Sequence, residues 1–159
     1  TRFPEIMYGF NISLSYKNIH LRMLFQGAEN IYKYLNMEDF IYDGRGNYFE
    51  EIIVNRYNPA TGEGKWPRAG FRQVPDDAMN TFMLIDAGYL RCKSAELRYD
   101  IPNHLISRIG VEDLSLYVNA SNLFFVYNKL GFTDPEMSSE ILTFYPQQRI
   151  VNLGVNLSF

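Results

Sequence analysis

The sequence predicts an all-β fold, an antiparallel transmembrane β-barrel segment of about five strands that belongs to a larger barrel and carries long extracellular loops. Three features of the sequence predict it. Apolar and small polar residues alternate with period two over membrane-length runs. Two long aperiodic segments fall on one side of the strands and short turns on the other. Aromatics make up 16% of the 159 residues, with twelve Tyr and twelve Phe against one Trp, as expected of a barrel with aromatic girdles.

The first strand is expected over about 6–16, with Tyr8, Phe10, Ile12, Leu14 and Tyr16 on one face and Gly9, Asn11, Ser13 and Ser15 on the other. Lys17-Asn18 is a two-residue turn, and a second strand follows over about 19–28, pairing with the first as a hairpin. From about 29 to 87 the periodicity is lost and Asn, Gly, Pro and charge accumulate. This is an outer loop, with short helical turns expected near Glu29 to Leu35. A third strand, about 88–101, sets Ala95, Leu97, Tyr99 and Ile101 against Ser94, Glu96, Arg98 and Asp100. Pro102 ends it, and a helical piece from His104 to Ile109 closes at Gly110. The fourth strand, about 113–124, presents Leu114, Leu116, Val118 and Ala120. A second outer loop covers about 125–148, and the last strand, about 149–159, alternates Val151, Leu153, Val155, Leu157 and Phe159 with Asn152, Gly154, Asn156 and Ser158.

Ten strand residues at about 3.3 Å each, tilted by about 40°, rise about 25 Å, the height of the apolar band of an outer-membrane barrel. Short turns on the periplasmic side then place the C-terminus there, in the outer membrane of a Gram-negative cell. Tyr16, Tyr99 and Phe159 fall at the inner interface, and Phe10, Phe25 and Phe124 near the outer one. Five strands cannot close, because the smallest such barrels have about eight and an open edge in lipid leaves backbone groups unpaired.

Other classes are poorly supported. A formal charge of −3 with interspersed signs argues against nucleic acid. Lone Cys92 with His20 and His104 cannot make a Cys/His zinc site, and no cofactor is expected. The chain opens at Thr1-Arg2-Phe3-Pro4 with no export signal, so its start is expected upstream. Paired acids at Glu50-Glu51, Asp76-Asp77 and Glu112-Asp113 lack a neighbouring His or nucleophile, and no catalytic residue is assigned. A barrel-embedded hydrolase would need a nucleophile facing His20, and the sequence marks out no Ser there. The competing binding-module reading is a soluble β-rich carbohydrate-binding domain.

Four segments carry a family resemblance: Tyr89 to Pro102, Leu116 to Phe124, Gly131-Phe132-Thr133-Asp134-Pro135-Glu136, and Val151 to Phe159. In this order and spacing they resemble the C-terminal region of SusC/RagA-family TonB-dependent outer-membrane transporters of Bacteroidetes. A weaker match runs from Asn55-Arg56-Tyr57-Asn58-Pro59 to Trp66-Pro67-Arg68, and Cys92 stands where the family usually has Leu. The resemblance implies a barrel of about 22 strands. It also implies an N-terminal plug domain and a TonB-contacting segment, both expected to be absent from this chain, and a SusD-like surface lipoprotein that lids the barrel during glycan or peptide capture.

On this reading the partners are the rest of the barrel and its plug, the lipoprotein, outer-membrane lipid, and TonB indirectly. Arg22, Glu96, Arg98 and Asp100 project into the lumen, where they pair with one another or contact the plug. Arg56, Tyr57, Trp66 and Arg68 lie in the longest outer loop and are the candidates for ligand or lid contact, since rings and guanidinium groups suit sugar faces, carboxylates and protein surfaces. Val155, Leu157 and Phe159 form the expected barrel-assembly signal.

Overall fold

The computed structural model describes residues 3–34, 50–67, 81–107, 110–137 and 147–159. Its strands are β1 (Ile6–Tyr16), β2 (Ile19–Glu29), β3 (Tyr32–Tyr34), β4 (Leu84–Asp86), β5 (Tyr89–Asp100), β6 (Asp113–Asn128) and β7 (Ile150–Ser158). Two short helices, α1 (Glu50–Val54) and α2 (Asn103–Ile106), lie in the connections. Strands β1, β2, β5, β6 and β7 form one sheet in that order, every pair antiparallel, and β3 with β4 makes a separate small hairpin.

Register shows why the alternation matters. Leu14, Leu21, Leu97, Val118 and Leu153 are cross-strand partners in a single row over all five strands. The adjacent row is Ser13, Arg22, Glu96, Asn119 and Asn152. Each strand therefore contributes its apolar side chains to one common face and its small polar ones to the other. The apolar face is uncovered, with Leu14 60% and Leu153 81% exposed. An apolar face this broad suits lipid rather than water. On the polar face the sheet encloses a shallow depression of about 650 Å³ that includes Asn11, Arg22, Glu96 and Ser121.

At the end of the sheet away from Lys17-Asn18, Phe10 stacks on Phe25 at 4.8 Å and Phe25 meets Phe124 edge-on at 6.4 Å, an aromatic patch that joins β1, β2 and, across β5, β6. At the opposite end Tyr16, Tyr99 and Phe159 are exposed.

Register irregularities reshape the end of the sheet away from Lys17-Asn18. Lys93 is skipped in the β2–β5 register, so Cys92 aligns with Phe25 and with Phe124, whereas Leu24 aligns with Ser94. A bulge of this kind reverses the alternation beyond it. Cys92 thereby joins the apolar face, and Arg91 and Lys93 turn to the polar one. On β6 the register against β5 passes over Asn122, at φ 52°, with Leu123, and again over Val126. Strand β6 then continues to Asn128, four residues past the end that alternation predicts.

The helical turns expected near Glu29 to Leu35 are corrected: Glu29 ends β2, Asn30 turns the chain at φ 54°, and Tyr32–Tyr34 is a strand paired with β4. The backbone N–H of Ala87 donates to the Ile31 carbonyl and extends that ladder, which no local pattern encodes because its strands are about fifty residues apart. The helical piece after Pro102 is Asn103–Ile106, with Gly110 at φ 74° in the following turn.

Candidate functional site

The polar face carries three groups of side chains, taken in order from the end of the sheet away from Lys17-Asn18. At the rim, Arg91 is 2% exposed, and its guanidinium lies over the Phe125 ring at 4.2 Å. It forms an ion pair with Asp134 and donates to Glu136 at 3.0 Å and to Gln147 Oε1 at 2.8 Å. Lys93 Nζ meets the same Glu136 carboxylate at 2.7 Å, and the Tyr89 hydroxyl donates to it at 2.8 Å. Between the two acids sits buried Pro135, and the Glu136 N–H donates to Asp134 Oδ1 at 2.9 Å, fixing a tight turn. Burial alone would raise the Glu136 pKa, but the hydrogen bonds from Lys93 and Tyr89 and the charge of Arg91 outweigh it and hold the carboxyl below its usual value. The result is a clamp that fastens the loop after β6 to the polar face of the sheet.

That clamp also reaches the long connection between β2 and β5. Lys33 on β3 donates to the Met137 carbonyl, and its burial holds its pKa below the ordinary lysine value against the pull of Asp134 and Glu136. Trp66 is 2% exposed and contacts Phe82 at 6.4 Å and Phe132 at 6.1 Å, both edge-to-face, so one indole joins the two loops. Its Nε1 donates to Glu51 on α1 at 3.2 Å, and Glu51 also takes Lys65 at 3.2 Å and Asn55 at 2.9 Å. These donors, Trp66 first, hold the Glu51 pKa below the ordinary carboxylate value. From this base a short finger projects, closed by Tyr57 N–H to the Trp66 carbonyl at 2.7 Å and Asn58 N–H to the Glu63 carbonyl at 2.8 Å.

Of the candidates for ligand or lid contact, Arg56 and Tyr57 are exposed on this finger. Trp66 is placed inside, as the pin that holds the loops, so it offers almost no surface to a partner. Arg68 lies outside the described residues.

Toward the turn at Lys17-Asn18, Asp100 accepts Arg98 Nε at 2.6 Å and lies 3.0 Å from His20 Nε2. The other ring nitrogen of His20 is 2.9 Å from Ser15 Oγ, its cross-strand partner. The structure thus brings Ser15 beside His20, which sequence spacing did not reveal. The order hydroxyl, imidazole, carboxylate is also that of hydrolytic triads. Here both Asp100 oxygens are engaged, one by Arg98, and Ser15 stands exposed on a regular strand, so the group is an ionic network. In the middle of the face, Arg22 and Glu96 are register partners, yet among the described residues they form no ion pair with each other. These four charges on the polar face therefore divide: Arg98 and Asp100 pair, whereas Arg22 and Glu96 do not pair with each other.

Sequence reasoning missed Arg91, Lys93, Asp134, Glu136 and Lys33. A signal was present in Arg91 and Lys93 themselves, two cations at positions that strict alternation from Ala95 would direct into lipid, where they are costly.

No family model matches the chain. Over 98% of its length it is similar to TonB-dependent receptor P26 of Formosa agariphila, at 29% identity, and to TonB-dependent receptor P3 of the same organism, at 26%. It spans 17% and 16% of those relatives. Its whole length superposes on the RagAB peptide importer in the open-open state with a TM-score of 0.74 at 26% identity. With a second structure, of the RagAB peptide transporter, the TM-score is 0.75 at 27% identity, and in each case the chain covers 18% of the neighbour. The similarity runs the full length of the chain in sequence and in fold, and a sheet with one uncovered apolar face and one charged polar face matches a β-barrel segment like those of SusC/RagA-type TonB-dependent transporters.

Proposed function

We propose that the chain supplies wall, lumen lining and two outer loops to a TonB-dependent outer-membrane importer of glycans or peptides that works with a SusD-like lipoprotein lid. The observation that carries this reading is the uncovered apolar face shared by all five strands, opposite a face of Ser, Asn and fixed charges. The relatives named as RagAB import peptides, which favours the peptide arm of the proposal. In this reading Lys17-Asn18 and Phe159 lie on the periplasmic side, the plug domain of the longer protein fills the lumen, and TonB acts through parts outside this chain. Val155, Leu157 and Phe159, all exposed on β7 and its end, serve as the assembly signal. Arg56 and Tyr57 on the finger meet the lid or the ligand, with Arg68 assigned there on sequence alone and Trp66 acting from beneath.

Cysteine accessibility in the full-length transporter, in intact outer membranes, tests the wall. With Cys92 replaced by Ser, Leu153→Cys should react with a lipid-dissolved maleimide and resist a charged one, while Asn152→Cys should do the opposite. Reaction of Leu153→Cys with the charged reagent alone would remove the reading and favour the soluble module.

A further inference from the structure

We propose that β3 is a docking edge for an extended cargo peptide, which adds to it as a third strand through the main-chain groups of Tyr32 and Tyr34. The proposal rests on the transporter reading and deepens its peptide arm. Past Asn30 the ribbon of β3 and β4 runs on beyond the main sheet with no third strand among the described residues. On the β4 side it is closed: Lys129 N–H donates to the Gly88 carbonyl at 3.0 Å, and Lys129 Nζ meets Asp86 at 3.1 Å. On the β3 side β1 ends at Ile6, opposite Glu29, and Pro4 just before it has no N–H to continue a ladder.

Register fixes which groups face that open side. Ala87 N–H donates to the Ile31 carbonyl at 2.9 Å, so these two are a hydrogen-bonded pair, and the next pairs are Tyr32–Asp86, Lys33–Ile85 and Tyr34–Leu84. Antiparallel pairs alternate, which turns the N–H and C=O of both Tyr32 and Tyr34 away from β4. None of these groups has a hydrogen-bond partner among the described residues. Alternate strand residues repeat at about 6.7 Å, the spacing of a second main chain and not of a sugar ring. The edge is also held in place, because Lys33, on the opposite face from the two tyrosines, is buried and donates to the Met137 carbonyl. Alternate side chains of the added strand would share the face of Tyr32 and Leu84, 39% and 45% exposed, so apolar residues are favoured at every second position. Strand addition reads the main chain and leaves the remaining side chains free, which suits an importer of mixed peptides.

The test uses the full-length transporter purified from outer membranes with any bound lipoprotein, exposed to a proteolytic digest of casein, and the peptides it retains are identified by mass spectrometry. One of them is resynthesised with a single N-methyl group at each position in turn. Affinity should fall about tenfold, the equivalent of one lost hydrogen bond, at every second position of a central stretch and stay near that of the parent at the positions between. Tyr34→Pro, which removes an N–H that β4 does not use, should weaken the parent peptide about tenfold, whereas Tyr34→Ala should keep most of the affinity. Leu84→Pro, the same change on the other edge of the ribbon, should leave it unchanged. An even response to N-methylation, or a Tyr34→Pro variant that binds the parent like wild type, would overturn the proposal. So would a Tyr34→Pro variant in which an outer loop turns sensitive to proteinase K at unchanged peptide affinity, which gives the edge to the transporter's own chain. Wild-type transporter that assembles but retains no casein peptide would instead sink the peptide arm, and this proposal with it.

Discussion

Arg91 holds more of the outer architecture than any other single side chain the structure describes, and its surroundings explain why. A guanidinium 3% exposed, stacked on Phe125 and facing two carboxylates that are 11% and 13% exposed, cannot be removed without stranding buried charge. Arg91→Ala should weaken loop attachment by about 3–5 kcal/mol, the cost of breaking a buried pair. In intact cells, the variant's second outer loop should become sensitive to proteinase K while the barrel remains heat-modifiable. Arg91→Lys should give partial protection, since an ammonium keeps the charge but loses the forked contacts and the stacking. Glu136 adds a pH dependence. Its pKa lies below 4.5 in the folded protein, so the folded loop binds fewer protons than the unfolded one. The clamp is therefore at full strength above 4.5 and is lost as pH falls through the lower folded value. The protection of residues 131–137 against hydrogen exchange, taken relative to the intrinsic exchange rate at each pH, should be high at neutral pH and should fall below about pH 4.5, with no such change between pH 6 and 8.

At the scale of strands, two glycines are fixed by tyrosines from the neighbouring strand. The Tyr117 ring lies where a Cβ on Gly154 would come within 2.2 Å of it, and Tyr8 covers Gly27 in the same way at 2.5 Å. These are aromatic-over-glycine cross-strand pairs, which help pin register. Gly154→Ala should destabilise the last hairpin by about 1–3 kcal/mol through overpacking. The temperature at which the folded electrophoretic band disappears should fall, and Tyr117→Ser in the same chain should recover most of the loss. The strands themselves were legible in sequence because each pattern is local: the run from Val151 to Phe159 states its two faces without reference to any other segment. The bulge at Lys93 was not, since it shows only when β5 is aligned against β2, and it moves Cys92, Arg91 and Lys93 to faces opposite those that alternation gives. The clamp was hidden for the same reason, because its partners are separated by 43 residues and meet only once β6 carries the second loop back over β5. Trp66 was recognisable as important, but its burial depends on Phe82 and Phe132 from two distant segments.

For the whole molecule, the two faces of the sheet should differ sharply in tolerance to charge. In water, a soluble sheet would accept Arg readily on whichever face is exposed, and Leu153 at 81% exposure is among the most exposed large apolar residues described. In a membrane the same position faces hydrocarbon near the middle of β7. Leu153→Arg should then destabilise the barrel by about 2–4 kcal/mol, the cost of a guanidinium at the bilayer midplane. Asn152→Arg, one residue away and directed to the polar face beside Asn119, should cost far less because it stays in the aqueous or protein-lined lumen. The comparison is made in the full-length transporter by the amount of heat-modifiable barrel recovered from outer membranes. Leu153→Arg should lower it several-fold and Asn152→Arg should leave it near wild type. Equal recovery of both, together with reaction of Leu153→Cys toward the charged maleimide, would mean that water and not lipid covers the apolar face.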